Sequence, residues 1–134
     1  MNNLKLLIVF LGLVLAASSY AADYSLGVAA AAAGKLMPKD GPSEFVLFNL
    51  PEPKAKPAQL LTALRQARDQ NACLAICSPK IEYIRDLLKD TMKAAKNEKF
   101  VGLYLIIVAE RTDVADIDEL IRNRGIHVKH GVYE

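Results

Sequence analysis

The chain has 134 residues and a mass of 14.7 kDa, a length for one domain rather than two. Its 52% hydrophobic and 24% charged residues exclude wholesale disorder, collagen-like repeats and disulfide-dense scaffolds. With 17 Lys+Arg against 15 Asp+Glu, the formal charge of +2 gives no basis for nucleic-acid binding or for strong attraction to anionic membranes.

The first segment reads as an address. Leu6 to Ala17 is apolar apart from Gly12, is preceded by Lys5, and is followed by the small residues around Ser18, Ser19 and Ala21. A positive end, a short apolar core and a small-residue cleavage site are the order of a secretory signal. The run falls short of the ~20 residues that cross a bilayer, so cleavage is expected rather than a retained membrane helix. Cutting between Ala21 and Ala22 places Ser19 and Ala21 at positions −3 and −1, where small side chains are required. Removing residues 1–21 leaves 113 of the 134, with 16 basic against 15 acidic side chains, since Lys5 is the only charged residue lost. The expected destination is the periplasm or the exterior, with no membrane span after cleavage.

Residues 22–43 form an Ala/Gly/Pro-rich leader without amphipathic period. Five alanines in succession, Ala29 to Ala33, predict a short helix over about Leu26 to Leu36. Such a helix is too short to be stable alone and must dock to persist. Gly34-Lys35-Leu36 does not make a phosphate loop, because the spacing from Gly27 is wrong and Leu36 stands where Ser or Thr is needed.

From residue 44 to residue 134 the pattern alternates between strand and helix. Glu44 to Leu50 is an aromatic and β-branched run stopped by Pro51 and Pro53, the first predicted strand. A helix over Pro57 to Gln70 carries Leu60, Leu61, Leu64 and Ala67 on one stripe, and Ala72 to Cys77 is the second strand. Ser78-Pro79 predicts a capped helix start, with Ile81, Ile84, Leu87, Leu88, Met92 and Ala95 facing inward. Val101 to Ala109 reads as a doubly buried parallel strand. Thr112 or Asp113 opens a third helix with Val114, Ile117, Leu120 and Ile121 inward, and Gly125 supplies its left-handed exit. The alternation in Ile126 to Tyr133 suits an edge strand.

This β-α-β-α-β-α-β order predicts a small three-layer α/β domain with a four-stranded parallel sheet in the order 2-1-3-4. That order leaves one sheet face under-covered, and the Ala-rich leader or a partner is expected to cover it.

Chemistry-bearing residues are few. On a strand, Cys73 and Cys77 stand about 13 Å apart, beyond the ~7 Å reach of a disulfide, and point to the same side as Ala75. Two small buried residues under a helix are the plain reading; a local bridge would require a turn or helix instead. Cys77, just ahead of a helix start, is also the candidate catalytic thiol. It lacks the arginine six residues on that a phosphatase-type loop needs, Tyr83 standing there, and C-x-x-x-C is not the thioredoxin-type spacing. His127 and His130 fall on opposite sides of a strand and cannot jointly hold a metal, and no other cluster has metal-ligand spacing. The acidic residues around Asp116 read as a helix start, not a calcium loop.

In the order 2-1-3-4, a ligand would sit beyond the carboxyl ends of the strands, where the order reverses. The polar residues expected on that rim are Asn49, Glu52, Ser78, Glu110, Arg111 and Thr112. No Gly-rich turn follows the first strand, so no nucleotide cofactor is expected. The function expected on these grounds is an exported protein-binding or accessory domain without a catalytic set, working with a protein partner or a second copy. The alternative is a thiol-dependent enzyme or redox protein using Cys77.

Overall fold

The computed structural model describes residues 24–113 and 115–133 and the backbone of Leu7–Leu11. The rest of the expected signal sequence, its cleavage point between Ala21 and Ala22, and Val114 lie outside the described residues.

The elements run β1 (Leu7–Leu11), α1 (Leu26–Lys35), β2 (Phe45–Asn49), α2 (Pro57–Asp69), β3 (Cys73–Cys77), α3 (Ile81–Ala95), β4 (Tyr104–Ala109), α4 (Ala115–Leu120) and β5 (His127–Val132). All strands are parallel, and the four expected from the sequence, β2 to β5, are joined at the outer edge of β2 by β1. The fold class is therefore α/β, as expected, but the strand order is not. The sheet runs β1-β2-β3-β4-β5, so the expected strands follow one another in sequence order rather than as 2-1-3-4.

The correction has a physical consequence. Successive steps in one direction, each made by a crossover of the same hand, put every connecting helix on the same face. Accordingly, Leu60 and Leu64 of α2, Ile84 and Leu88 of α3 and Ile117 of α4 share one apolar cluster with Val46, Phe48, Leu74, Ile76, Leu105 and Ile107. The helical stripes read from the sequence are the ones buried: Leu60, Leu61, Leu64 and Ala67 on α2, and Ile81, Ile84, Leu87, Leu88, Met92 and Ala95 on α3.

The opposite face holds the odd-phase residues Phe45, Leu47, Cys73, Ala75, Cys77, Ile106 and Val108. It has no crossover helix, and α1 packs there, over β3, β4 and β5, with Ala29 and Ala33 fully buried. Ser25 starts α1, its Oγ accepting from the Val28 N–H at 3.1 Å. The alanines set how closely the helix approaches, since a residue without Cγ atoms lets the backbone lie near the sheet.

Two boundaries differ from the sequence reading. Val101 does not begin a strand: it is 73% exposed, in a turn with Gly102 at φ +85° ahead of β4. Ser78 is not the N-cap of α3; that position is Lys80, and the Ser78 Oγ instead accepts from the Lys80 N–H at 3.2 Å. The free first-turn donor at Ile81 goes to the carboxylate of Glu110, at 2.7 Å, so the cap comes from the end of β4. Similarly, α2 opens with the Gln59 Oε1 accepting from the Lys56 N–H at 2.7 Å.

Gly125 does supply the left-handed exit, with φ +81°. A Cβ there would stand 2.8 Å from the Val101 Cα, so the close approach of the two turns excludes any side chain. Gly125→Ala is expected to cost about 2 kcal/mol or more in urea unfolding, from the strained backbone and the displaced turn. Gly27→Ala, on α1 with nothing within 4 Å of the new Cβ, is expected to stabilise by about 0.5 kcal/mol.

The loop between α3 and β4 is tied to α2 by charge. Arg65 donates to both oxygens of Glu98, the shortest contact 2.7 Å, and the Arg68 Nη1 donates to Glu98 Oε2 at 2.9 Å and to the Lys99 carbonyl at 3.2 Å. Hydrogen bonding from Arg65, then from Arg68, against some opposing desolvation, holds the Glu98 carboxyl at about 2, well below its ordinary 4.5. The lowered value means that the cluster stabilises the fold fully above about pH 4.5 and progressively less as the pH falls toward 2. Glu98 remains partly solvated, so Glu98→Gln is expected to cost only about 1 kcal/mol at neutral pH. Unfolding curves of the two proteins should converge near the low end of that range.

Candidate functional site

The carboxyl ends of β2, β3 and β4 form a single rim, and there the chain carries the ladder past the strands. Leu50 N–H donates to the Cys77 carbonyl at 2.8 Å, Ser78 N–H to the Val108 carbonyl at 3.0 Å, and Tyr133 N–H to the Ala109 carbonyl at 3.2 Å. The sequential strand order removes the reversal point at which a ligand crevice was expected. The rim residues fall into two groups and two outliers.

The first group is a strap on the α1 side. The Tyr24 hydroxyl donates to Asn49 Oδ1, its ring meets that of Tyr133 edge-on with centroids 5.0 Å apart, and the Tyr133 hydroxyl donates to the Pro79 carbonyl at 3.3 Å. Tyr133 and Ser78 are both buried. Neither tyrosine stood out in the sequence, because their pairing depends on α1 docking on this face and on β5 returning to the same edge.

The second group is a charged fan on the α3 side. Glu110 caps α3 through Oε1 and receives Arg111 Nη1 on Oε2 at 2.9 Å, while Arg111 also reaches Glu82 at 3.1 Å and Asp113 at 3.5 Å. The Glu82 carboxyl lies below its ordinary value, because its own backbone N–H and then Arg111 donate to it. These groups join α3 to the β4–α4 turn; their hydrogen bonds are directed at one another and at backbone. Glu52 pairs with Lys54 at 3.4 Å in its own loop, and Thr112 is exposed, so neither joins the other rim residues.

Cys73 and Cys77 are free and buried, on the same side as Ala75 and beneath α1. The Cys77 Sγ lies 3.9 Å from the Ala29 carbonyl, and burial pushes its thiol up to about 12 and that of Cys73 up to about 11. A nucleophilic thiol needs the opposite environment, a lowered value and access from solvent. The helix start that suggested an activated Cys77 has moved on to Ile81 and has Glu110 on its free donor.

His127 and His130 point to opposite sides of β5. His127 stacks on Tyr104 with centroids 5.0 Å apart, and His130 Nε2 lies 3.3 Å from Asp118 Oδ1. His130 and Asp118 border a depression of about 470 Å³ whose floor is formed by Ile121, Ile126 and Val128. Among the described residues there is no group of three or more metal-ligating side chains, and no helix is long and apolar enough to cross a membrane.

An open apolar surface lies elsewhere. A groove of about 330 Å³ runs between α1 and β5, walled by Val28, Ala31, Ala32, Leu36, Gly131 and Val132, with Lys35 at its margin. Val28 and Val132 are 38% and 43% exposed. A Cβ at Gly131 would stand 2.7 Å from Leu36 Cδ1, so the end of the Leu36 side chain would have to shift to admit one. The groove is not legible in the sequence, because its two walls are about 100 residues apart and only the docking of α1 brings them together. No protein-family model, curated protein or solved structure matches this chain.

Proposed function

We propose that the chain is an exported accessory domain that acts by binding another protein, in the periplasm or outside the cell. The observation that carries this reading is the groove between α1 and β5. Single exposed apolar residues are ordinary, but Val28 and Val132 are exposed together across a concave apolar surface that lies beside the open edge of β5. An apolar segment of a partner fits such a surface through its side chains.

The polar groups on the strand-end rim support the same reading. Their bonds hold the fold together, in the Tyr24–Tyr133 strap and the Glu110–Arg111 fan, and do not converge on a point in space where a substrate atom could sit.

A photo-cross-linking residue at Val132, in the chain expressed in its native host, tests the reading. A discrete adduct is expected at Val132, absent when the probe is moved to Lys93 on α3 and lost when Val28 is changed to Glu. Equal labelling at both positions would overturn the proposal. An adduct of twice the chain mass would replace the partner protein with a second copy.

A further inference from the structure

The two edges of the β2–β5 sheet are built differently. β5 carries His127, Lys129 and His130, with alternating exposed and half-buried positions, and charged residues on an edge discourage further strand pairing. β2 has the composition of an interior strand: Phe45, Val46, Leu47 and Phe48 are all buried and no charge occurs from Phe45 to Asn49. An edge of that kind is a template for another strand.

In this structure a strand is seated there. Leu7–Leu11 pairs with β2 in parallel, residue for residue, from Leu7 opposite Phe45 to Leu11 opposite Asn49. Its connection to β2 is unusual. β2 to β5 succeed one another in one direction, and α2, α3 and α4 all lie on one face. The step from β1 to β2 has the same direction, yet α1, the helix between them, lies on the opposite face. The β1–α1–β2 crossover therefore has the opposite hand to the other three. Since about 98% of such crossovers share one hand, a strand in this place is poorly matched to a connection within the same chain. A strand entering from another molecule has no such constraint.

The geometry points to the outer edge of β2 as an acceptor for an uncharged apolar strand of a partner protein, laid parallel to Phe45–Asn49, with Leu7–Leu11 as its tethered placeholder. The placeholder states the chemistry of the occupant: five successive apolar residues, two of them β-branched and one aromatic. The proposal rests on the export reading in one respect, since removal of residues 1–21 would vacate the edge. It differs from the groove beside β5, which lies at the other end of the sheet.

The full-length chain carrying Val9→Pro tests it, because proline at the centre of β1 has no N–H for the ladder. A second variant with Ile8→Lys and Phe10→Lys weakens β1 without proline. The probe is a synthetic peptide with Leu-Ile-Val-Phe-Leu between pairs of lysines. Both variants are expected to remain folded, with amides of Phe45–Asn49 exchanging about tenfold or more faster than in the unmodified chain. The peptide should restore their protection and raise Tm in proportion to the logarithm of its concentration, and a peptide with proline at its centre should do neither. Variants that fold neither alone nor with the peptide, or that ignore it at millimolar concentration, would overturn the proposal. So would an unmodified chain whose β2 protection disappears on dilution, which would make a second copy the donor. The mass of the chain released by the host tests the export reading separately, and its outcome leaves the peptide result standing.

Discussion

Ala33→Glu is expected to lower the melting temperature by about 12–24 °C, from a destabilisation of roughly 3 kcal/mol at 4–8 °C per kcal/mol. Ala33 and Ala29 are one helical turn apart on the buried side of α1, with no exposure to solvent, while Ala31 faces out. A carboxylate at position 33 would be placed against the apolar face of β3 and β4 without a cation to pair with, and burying an unpaired charge costs more than a short helix gains by docking. The helix should leave the sheet instead. Its departure has a second readout. In the native protein both thiols are expected to react slowly with a disulfide reagent at neutral pH, because burial holds them at about 11 and about 12. With α1 undocked, Cys77 loses the cover of Ala29 and should become fast. Ala31→Glu, on the exposed side of the same helix, should change neither property. A native melting temperature and slow thiols in the Ala33→Glu protein would show that α1 does not hold this face closed.

The same helix shows how far the sequence reaches. Five successive alanines predict a helix that must dock, and α1 does so; the face it covers was expected from the order 2-1-3-4, whereas the sequential order puts all three crossover helices on the other side and leaves this face to α1. The stripes on α2 and α3 were legible for the ordinary reason that a period of 3.6 residues is a local property. Strand order was not, because each strand run is the same whichever neighbour it pairs with. What decides it is the direction of each crossover step, and nothing within residues 51–72 records whether β3 lies to one side of β2 or the other. With the order went the rim site: Asn49, Ser78, Glu110 and Arg111 do stand at the strand ends, yet Asn49 is bonded to Tyr24 and Glu110 to α3, partners that only the tertiary structure supplies. The cap of α3 failed for a related reason. Ser78 and Pro79 carry the local signal, but the Glu110 carboxylate, arriving from the next strand, binds the donor at Ile81 and sets the start there.

Phe100→Ala should be among the most damaging single changes, about 3–5 kcal/mol by urea unfolding, a large share of the whole stability of a domain of this size. Phe100 is fully buried although it belongs to no strand or helix, and its backbone N–H donates to the Arg124 carbonyl at 2.8 Å. Its ring lies beneath the Arg68 guanidinium, 5.3 Å from the centroid, and Arg68 in turn binds Glu98 and the Lys99 carbonyl. One side chain thus fills the core where the α3–β4 loop, the C-terminal end of α2 and the turn after α4 converge. Truncation would remove the ring from the core and leave Arg68 without the surface on which it stacks. Phe100→Leu, which keeps most of the apolar volume but not the flat ring, should cost about 1–2 kcal/mol, and the difference between the two measures the cavity. Combining each change with Glu98→Gln separates the packing from the charge cluster. If Phe100 orients Arg68 toward Glu98, the second substitution should cost less in the Phe100→Ala background than alone; strict additivity would show the ring and the ion cluster to be independent.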